Sequence, residues 1–473
     1  MKTTDKRTKI IATIGPATHS AEKIEQLFDA GMTTVRLNFS HGDHKEQGDR
    51  IVFVREVASK RGIPISIALD TKGPEIRVGK FQGGKQPISV GQKITIFTLN
   101  EDFANKECGQ GEMTVAYDMS QDLEVGKTVL VDDGKLQLEV IEVTPGIVKT
   151  IAKNHHVVKT NKRVNLPGTK FSMPFLAEKD KNDIRYGAKI GVDYIFASFV
   201  NTPEDINEIK DILKEENSEE IMVFAKIESQ YAVDNFDAIV ESTDGVMVAR
   251  GDLGLEIPYY EVPVAQKMMI RKMRDAGKPV IVATQMLDSM ESNPQPTRAE
   301  VSDVYLATEL GADATMLSGE SAAGEYPVES VQVMATINMT AEREFYNKEY
   351  YKNYLKGLAK PSNKREEIAM LVTKKAQNGD FKYSVVLSKT GKLLNVVSKF
   401  RPNTAIIGVT ENEKQITKFG AVSSVFVIPG TKAFISMHKD VEKEAKKAVA
   451  LYGAEKGDKF LVVENEKVSE FIF

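Results

Sequence analysis

Short apolar runs alternate along much of the chain with stretches whose apolar residues have helical spacing. Eight runs lead into polar residues, and this alternation is typical of a parallel α/β architecture. They lie at residues 9–13, 34–42, 63–69, 192–200, 221–229, 245–249, 279–283 and 314–317. Eight units predict a closed (β/α)8 TIM barrel with an active site at the carboxyl ends of its strands. From the pattern alone, a doubly wound open sheet remains the alternative.

The stretch at residues 221–229 changes from apolar to charged near its end. Lys226 and Glu228 lie two residues apart, so their side chains would share one face of a strand. A buried parallel strand is normally apolar throughout. The two charges therefore indicate a site at the mouth of the barrel. The alternative is a surface ion pair, which contributes only ~0–1 kcal/mol.

The pattern changes to short alternating segments between residues 73 and 173. Asp133-Gly134 separates β-type runs at 128–131 and 136–143, which is typical of a hairpin. We therefore predict an all-β domain inserted after the third barrel strand, where it acts as a lid. Two connections, at Gly73-Pro74 and Met173-Pro174, would serve as its hinges.

A second, smaller α/β region follows the last predicted barrel helix, at residues 330–344. Its pattern predicts helices at 365–378 and 438–452, and strands at 383–387, 405–409, 424–428 and 460–463. The predicted domain limits are 1–72 and 174–346 for the barrel, 73–173 for the β-barrel lid and 357–473 for the C-terminal regulatory domain.

Composition excludes several classes of protein. The net charge of −4 over 473 residues gives no basic field that would favour nucleic acid. No run reaches the ~18 apolar residues of a membrane span. The polar N-terminus lacks the apolar core of a signal peptide. Cys108 is the only cysteine, which excludes an internal disulfide and favours a cytoplasmic location.

Two carboxylates lie at the ends of neighbouring predicted strands. Glu228 and Asp252, together with waters and a phosphorylated substrate, would suit Mg²⁺, which prefers oxygen ligands and few protein contacts. The alternative is that one or both are solvated loop carboxylates.

Oxygen-bearing residues also follow two earlier strands. They are Asn38, Ser40, Asp70 and Thr71. One carboxylate among neutral oxygens fits a monovalent cation better than a divalent one. Ordinary turn hydrogen bonding by these residue types is the alternative.

Two further features predict anion binding at the same end of the barrel. Arg36 would share a strand face with Asn38 and Ser40, where its planar fork could bind phosphate or carboxylate. Gly251-Asp252 could begin a short helix with free N–H groups, although such a sequence is more often a turn.

Two other motifs do not support the functions they suggest. Residues 79–86 nearly match a phosphate-binding loop, but Gln86 stands where Ser or Thr must ligate the metal. The segment also lies in a β-rich region without a following helix. His155-His156 lacks the partners of a zinc site. We expect both segments on exposed loops or hairpins.

Taken in chain order, the strand-end motifs resemble those of the pyruvate kinase family. The motifs are VRLNFSHG, LDTKGPEIR, AKIES, ARGDLGLEIP, ATQMLDSM, PTRAE and MLSGESAAGEYP. The resemblance spans all three domains and implies a barrel with an inserted β domain and a C-terminal α/β domain. It implies phosphoryl transfer from phosphoenolpyruvate to ADP, giving ATP and pyruvate, the last step of glycolysis.

The resemblance assigns roles to the charged strand ends. Glu228 and Asp252 would hold Mg²⁺ or Mn²⁺, while Arg36 and Lys226 would neutralise the transferring phosphoryl group.

Residues of the next strands would bind the rest of the substrate. The backbone of Gly251 and Asp252, with Thr284, resembles the family's site for the substrate carboxylate. Thr284 is also a candidate for the proton relay, although the sequence does not identify the proton donor.

The resemblance also implies a potassium site and a nucleotide site. Asn38, Ser40, Asp70 and Thr71 match the family's K⁺ ligands, and Glu75 matches its potassium-dependent type. Asn38, His41, Arg77 and Lys162 match nucleotide-contacting positions. This chain has Arg163 where the family usually has glycine, which leaves open whether Lys162 or Arg163 reaches the nucleotide.

The loop at residues 388–392 resembles the family's effector loop. Its candidate ligands are Ser388, Lys389, Thr390 and Lys392. Leu393 stands where such loops commonly continue with Ser, so one hydroxyl ligand is missing. A sugar phosphate, a nucleotide or no effector therefore remain alternatives, as does an exposed basic turn.

The resemblance implies a homotetramer, while the charge and hydropathy of the chain argue against nucleic-acid and membrane partners. Because no further sequence follows Phe473, we expect none of the appended phosphohistidine-like domains that some bacterial relatives carry. Two other functions remain to be distinguished: a magnesium-dependent aldolase or lyase acting on pyruvate-type enolates, and a non-enzymatic scaffold. Arg77, Lys162 and the lid argue against the lyase, and the charged strand ends argue against the scaffold.

Overall fold

The computed structural model describes residues 4–98, 106–170, 172–358, 360–464 and 466–473. Its strands, in chain order, are β1 (Lys9–Thr13), β2 (Thr34–Asn38), β3 (Ser66–Asp70), β4 (Ile76–Arg77), β5 (Lys80–Phe81), β6 (Lys85–Ile88), β7 (Lys93–Phe97), β8 (Glu107–Cys108), β9 (Glu112–Thr114), β10 (Thr128–Val131), β11 (Leu136–Thr144), β12 (Ile147–Ala152), β13 (His156–Lys159), β14 (Arg163–Asn165), β15 (Tyr194–Ala197), β16 (Met222–Ile227), β17 (Gly245–Ala249), β18 (Val280–Ala283), β19 (Ala314–Leu317), β20 (Phe381–Leu387), β21 (Ala405–Val409), β22 (Val425–Val427), β23 (Lys459–Glu464) and β24 (Lys467–Ile472).

The helices connect these strands. They are α1 (Ala21–Ala30), α2 (His44–Arg61), α3 (Glu178–Ile190), α4 (Pro203–Glu215), α5 (Gln230–Asp234), α6 (Phe236–Ser242), α7 (Arg250–Glu256), α8 (Val262–Ala276), α9 (Arg298–Glu309), α10 (Gly319–Ala322), α11 (Pro327–Phe345), α12 (Lys348–Lys356), α13 (Lys364–Asn378), α14 (Lys392–Lys399), α15 (Lys432–Met437) and α16 (Val441–Leu451). Within the described residues, no helix is both long enough and apolar enough to cross a membrane.

Eight parallel strands form a closed barrel in the order β1-β19-β18-β17-β16-β15-β3-β2. This confirms the predicted TIM barrel and excludes the open sheet. Tyr194, Phe196 and Phe224 are fully buried and pack against one another within the barrel. The aromatic side chains fill the interior, so the polar site is restricted to the carboxyl ends of the strands.

One barrel strand is shorter than its apolar run. The run at residues 192–200 predicts a strand of that length, but β15 ends at Ala197. Phe199 takes a left-handed backbone conformation, with φ 57°, and the chain leaves the sheet. Phe199 and Val200 are nevertheless buried, because apolar character reports burial rather than strand pairing.

The inserted segment is all β, with its own buried core. Its main sheet has the order β4-β14-β10-β11-β12-β7-β9, and two small sheets pair β13 with β6 and β5 with β8. The hairpin of β10 and β11 is antiparallel, as the Asp-Gly signal predicts. At the first connection, the Asp180 carboxylate accepts hydrogen bonds from the backbone N–H groups of Lys72 and Gly73. A barrel helix thus holds the start of the lid.

The C-terminal region forms a five-stranded sheet in the order β22-β21-β20-β23-β24, in which only β24 is antiparallel to its neighbour. The observed helix α16 is shorter than the predicted helix at 438–452. It starts at Val441 because the Asp440 side chain accepts from Lys443 N and caps the helix there. Buried polar contacts join this sheet region to the amino-terminal end of the barrel. Arg401 lies 3.0 Å from Asp313, for example, and both side chains are about 5% exposed.

Candidate active site

A narrow polar cavity of about 110 Å³ lies at the carboxyl ends of the barrel strands. Nine of the predicted residues line it: Arg36, Asn38, Ser40, Asp70, Thr71, Lys226, Glu228, Asp252 and Thr284. They belong to five barrel strands or the segments that follow them, and closure of the barrel brings them together.

Lys226 is buried and makes three contacts with polar side chains. Its Nζ lies 2.7 Å from Ser198 Oγ, 3.0 Å from Asp70 Oδ1 and 3.2 Å from Glu228 Oε1. The surface-ion-pair alternative is therefore wrong, since the Lys226 side chain is only 10% exposed and that of Glu228 1%. The strand-end charges belong to a network within the cavity.

Arg36 belongs to the same network. Its Nε lies 2.6 Å from Asp70 Oδ2, and its Nη1 donates to Thr13 Oγ1 over 3.0 Å. Burial raises the pKa of Asp70, but the charges of Arg36 and Lys226 outweigh burial and hold that pKa below its ordinary value. Burial likewise lowers the pKa of Lys226, while Asp70 and Glu228 outweigh it and raise the pKa. Both groups are therefore ionised at neutral pH.

Glu228 and Asp252 fit the donor set of a divalent cation. Burial raises the pKa of Glu228 to about 7, even though Lys226 opposes the shift. Its charge is thus incompletely compensated by the protein, and an added cation would stabilise the carboxylate. No group of three or more His, Cys, Asp or Glu residues is placed to hold a metal within the described ranges. Two carboxylates with remaining positions for water and substrate suit Mg²⁺.

The residues predicted to hold a monovalent cation lie together but are already hydrogen-bonded. Asn38 Oδ1 accepts from Ser40 N over 3.0 Å, which is the turn bonding that the sequence left as an alternative. Thr71 Oγ1 accepts from Ser198 N over 3.0 Å. These oxygens retain a second lone pair, so the contacts do not prevent cation binding.

The turn after β18 approaches the start of α7 closely. A Cβ on Gly251 would lie 2.6 Å from Thr284 Cγ2, so only glycine fits here. Thr284 and Gln285 both have positive φ, 73° and 53°. Such strain, about 1–3 kcal/mol per residue, is often found at ligand sites. Arg250 supports the turn by donating to Thr284 O over 2.7 Å.

Comparison with known proteins identifies the family. The family model described as the pyruvate kinase barrel domain matches residues 5–331, and the model of the pyruvate kinase alpha/beta domain matches residues 366–470. A pyruvate kinase of Bacillus licheniformis is 44% identical over 447 residues, covering 94% of this chain and 74% of the relative. That of Clostridium acetobutylicum is 42% identical over 464 residues, covering 96% and 95%.

The chain belongs to the pyruvate kinase family. A crystal structure of a pyruvate kinase from Cryptosporidium parvum superposes with a TM-score of 0.89 at 34% identity, covering 99% of this chain and 97% of that one. Family membership confirms that the chain is a phosphotransferase enzyme. It excludes the lyase and scaffold alternatives.

Of the residues that match the family's nucleotide-contacting positions, only some lie at the cavity. Asn38 lines the cavity, whereas His41 is exposed. Arg77 pairs with Glu75 over 2.9 Å, and Lys162 pairs with Asp132 of the lid over 2.9 Å. Lys162 does not line the cavity, whereas the neighbouring Arg163 does.

The loop that resembles the family's effector loop is a turn before α14. Ser388 Oγ accepts a hydrogen bond from Leu393 N over 3.2 Å. The serine hydroxyl is therefore bonded to the backbone of Leu393, the residue that departs from the family pattern. Lys389 pairs with Glu411 over 3.3 Å, and Thr390 and Lys392 are exposed.

The two unsupported motifs lie in the inserted domain, but the expected exposure is wrong for Phe81 and Gln86, whose side chains are buried. Residues 79–86 form short strands and a tight turn without a following α-helix. His156 Nε2 lies 2.8 Å from Asp132 Oδ2, in an ordinary side-chain pair.

Three residues of the site were missed from the sequence. Ser198 contacts Lys226, Arg250 supports the Thr284 turn, and Glu320 accepts from the backbone N–H groups of Ser318 and Leu287. Each directly follows a barrel strand or lies within three residues of its end, so the strand-end rule that found Lys226 could have found them.

Proposed function

We propose that this enzyme transfers the phosphoryl group of phosphoenolpyruvate to ADP, giving pyruvate and ATP. The observation that carries the proposal is the cavity in which the cations Arg36 and Lys226 adjoin the carboxylates Glu228 and Asp252. Phosphoryl transfer requires little covalent chemistry from the protein and depends on positioning and charge neutralisation. A cavity lined by fixed, buried charges supplies both.

Each side chain acts through a stated atom. Lys226 Nζ and the Arg36 guanidinium stabilise negative charge on the phosphoryl oxygens during transfer. The backbone of Gly251 and Asp252, with the Thr284 hydroxyl, binds the substrate carboxylate, and Thr284 is a candidate in the proton relay to enolpyruvate. Glu228 and Asp252 would hold Mg²⁺ or Mn²⁺, which supplies further charge neutralisation and orients the phosphoryl group.

Potassium is the second proposed cofactor. Asn38, Ser40, Asp70 and Thr71 would provide its oxygen ligands, and their position beside Arg36 and Lys226 supports a role in completing the substrate site. We expect full activity only when K⁺ is present.

The remaining assignments are also proposals. In the substrate-bound enzyme, ADP would be contacted by His41, Arg77 and Lys162. The domain limits, a cytoplasmic location and the absence of nucleic-acid and membrane partners are proposed from the sequence pattern and composition. A homotetrameric state, and a sugar-phosphate or nucleotide effector at Ser388, Lys389, Thr390 and Lys392, are proposed from the family resemblance.

Pyruvate formation from phosphoenolpyruvate and ADP, with Mg²⁺ and either K⁺ or Na⁺, tests the proposal. We expect turnover that requires ADP and Mg²⁺ and that falls strongly when Na⁺ replaces K⁺. No turnover with all components present would overturn the proposed reaction. Equal rates in the two salts would overturn only the potassium requirement.

A further inference from the structure

Arg163 reaches from the lid into the barrel cavity. It begins β14, and its guanidinium contacts two carboxylates at once. Its Nη2 lies 2.6 Å from Glu75 Oε1 of the lid, and its Nη1 contacts Asp252 Oδ1 of the barrel. The Arg163 side chain is 26% exposed, and that of Glu75 only 2%. The contact with Asp252 therefore joins two domains through a partly buried charge.

This contact engages a carboxylate that the metal would also use. Asp252 is one of the two carboxylates that would hold the divalent cation, and its Oδ1 is engaged by Arg163. A guanidinium remains charged at all relevant pH values, so it cannot withdraw by losing a proton. A cation bound at Asp252 would lie beside this fixed positive charge, so the guanidinium and the metal compete electrostatically for the same carboxylate.

The charges around Arg163 hold it in place. Burial lowers the pKa of Arg163, but Asp252, Glu75 and Glu228 outweigh burial and raise it. Within the part of the chain that the structure describes, Arg163–Asp252 is the one side-chain ion pair between the lid and the barrel. Glu75 also pairs with Arg77, so two arginines of the lid contact this carboxylate.

We propose that Arg163 is an internal competitor of the divalent cation. Arg163 links the lid to the barrel through Asp252 and is displaced from that carboxylate when the metal binds. The inference rests on the proposed function, because it takes Glu228 and Asp252 as the metal ligands. Once displaced, Arg163 stays tethered to Glu75 at the cavity wall, with Nη1 free to face an anionic ligand. Metal binding and lid position are thereby coupled through one side chain.

Direct Mn²⁺ binding in the absence of substrate tests the competition. Free Mn²⁺ is measured by electron paramagnetic resonance for the wild type, Arg163→Gln and the matched control Arg77→Gln. Both substitutions remove one positive charge from adjacent lid strands, since Arg163 and Arg77 are cross-strand partners. Only Arg163 contacts Asp252. We expect Arg163→Gln to bind Mn²⁺ about 10-fold more tightly, as loss of a charged hydrogen bond implies, and Arg77→Gln to change affinity less than about 3-fold.

A second measurement follows the lid itself. Hydrogen exchange of the lid–barrel connections is compared with and without Mn²⁺ for the same three proteins. Without Mn²⁺, we expect the backbone amides near residues 72–75 to exchange faster in Arg163→Gln than in the wild type or in Arg77→Gln.

The possible outcomes distinguish failure of the Arg163 competition from failure of the proposed reaction. Unchanged or weaker Mn²⁺ binding by Arg163→Gln, or equal tightening in both variants, overturns the competition even if the wild type turns over phosphoenolpyruvate and ADP. Absence of Mn²⁺ binding in all three proteins overturns the metal site itself. Thermal unfolding confirms that the variants are folded before either comparison is made.

Discussion

At the scale of single residues, the nearest polar contacts of Lys226 are not with Glu228, its neighbour in sequence. Two-residue spacing places Lys226 and Glu228 on one strand face, and their charged atoms are 3.2 Å apart. Closer contacts come from Asp70 and Ser198, which belong to other strands or their ends. Lys226 therefore balances two buried carboxylates and has a fixed position at the cavity.

Lys226→Met tests this role. Methionine has similar bulk but cannot neutralise a phosphoryl group, so we expect kcat to fall by about 10²–10³-fold while phosphoenolpyruvate and Mn²⁺ still bind. Steady-state pyruvate formation and equilibrium binding measure the two effects. Loss of the buried counter-charge should also lower the thermal unfolding temperature, which is recorded as a control. An unchanged kcat would remove Lys226 from the mechanism.

At the scale of elements, the barrel depends on small residues opposite its internal aromatic rings. Gly245 begins β17 and pairs with Phe224 of β16. A Cβ at Gly245 would lie 2.5 Å from the Phe224 ring, which is closer than packing allows. The ring and the glycine together fit the limited space inside the closed strands.

Gly245→Ala should therefore destabilise the barrel. Overpacking of a buried site typically lowers the free energy of unfolding by about 1–3 kcal/mol. Urea denaturation measures the change, with Gly109→Ala of the lid as the control, since its nearest neighbour would lie 3.8 Å away. Equal stability of the two variants would contradict the packing explanation.

At the scale of the whole molecule, a buried carboxylate connects the barrel to the C-terminal domain. Asp193 Oδ2 accepts from Ile67 N over 2.8 Å, and its Oδ1 accepts from the Thr417 hydroxyl. Burial raises the pKa of Asp193 to about 6, and the hydrogen bonds only partly oppose this shift. Ionisation of Asp193 is therefore less favourable in the folded protein than in the unfolded chain.

This shift predicts a pH dependence of stability. Because the folded state binds the proton more tightly, Asp193 lowers the free energy of unfolding as pH rises from about 4 to about 6, by about 3 kcal/mol in total. Asp193→Asn cannot ionise and should lose this part of the slope. Urea unfolding across that pH range tests it, with the exposed Asp211→Asn as control. An identical slope in Asp193→Asn and wild type would contradict the assignment.

Much of the architecture and the site was predictable because it depends on local spacing. Apolar runs of strand length, separated by helical patterns, predicted the eight-stranded barrel, and turn chemistry such as Asp133-Gly134 predicted the hairpin of the lid. Polar strand ends indicated where Lys226, Glu228 and Asp252 would meet, since carboxyl ends of parallel strands share one edge.

Only the tertiary structure decided which charges face one another. The Lys226–Asp70 contact joins residues 156 positions apart, and the Arg163–Asp252 contact joins two domains. Local spacing cannot specify such pairs, because they depend on barrel closure and lid position. The early end of β15 has the same origin, since burial of Phe199 depends on packing and not on strand pairing. The sequence by itself determined the strands and the residue types at their ends, and three-dimensional packing determined their partners.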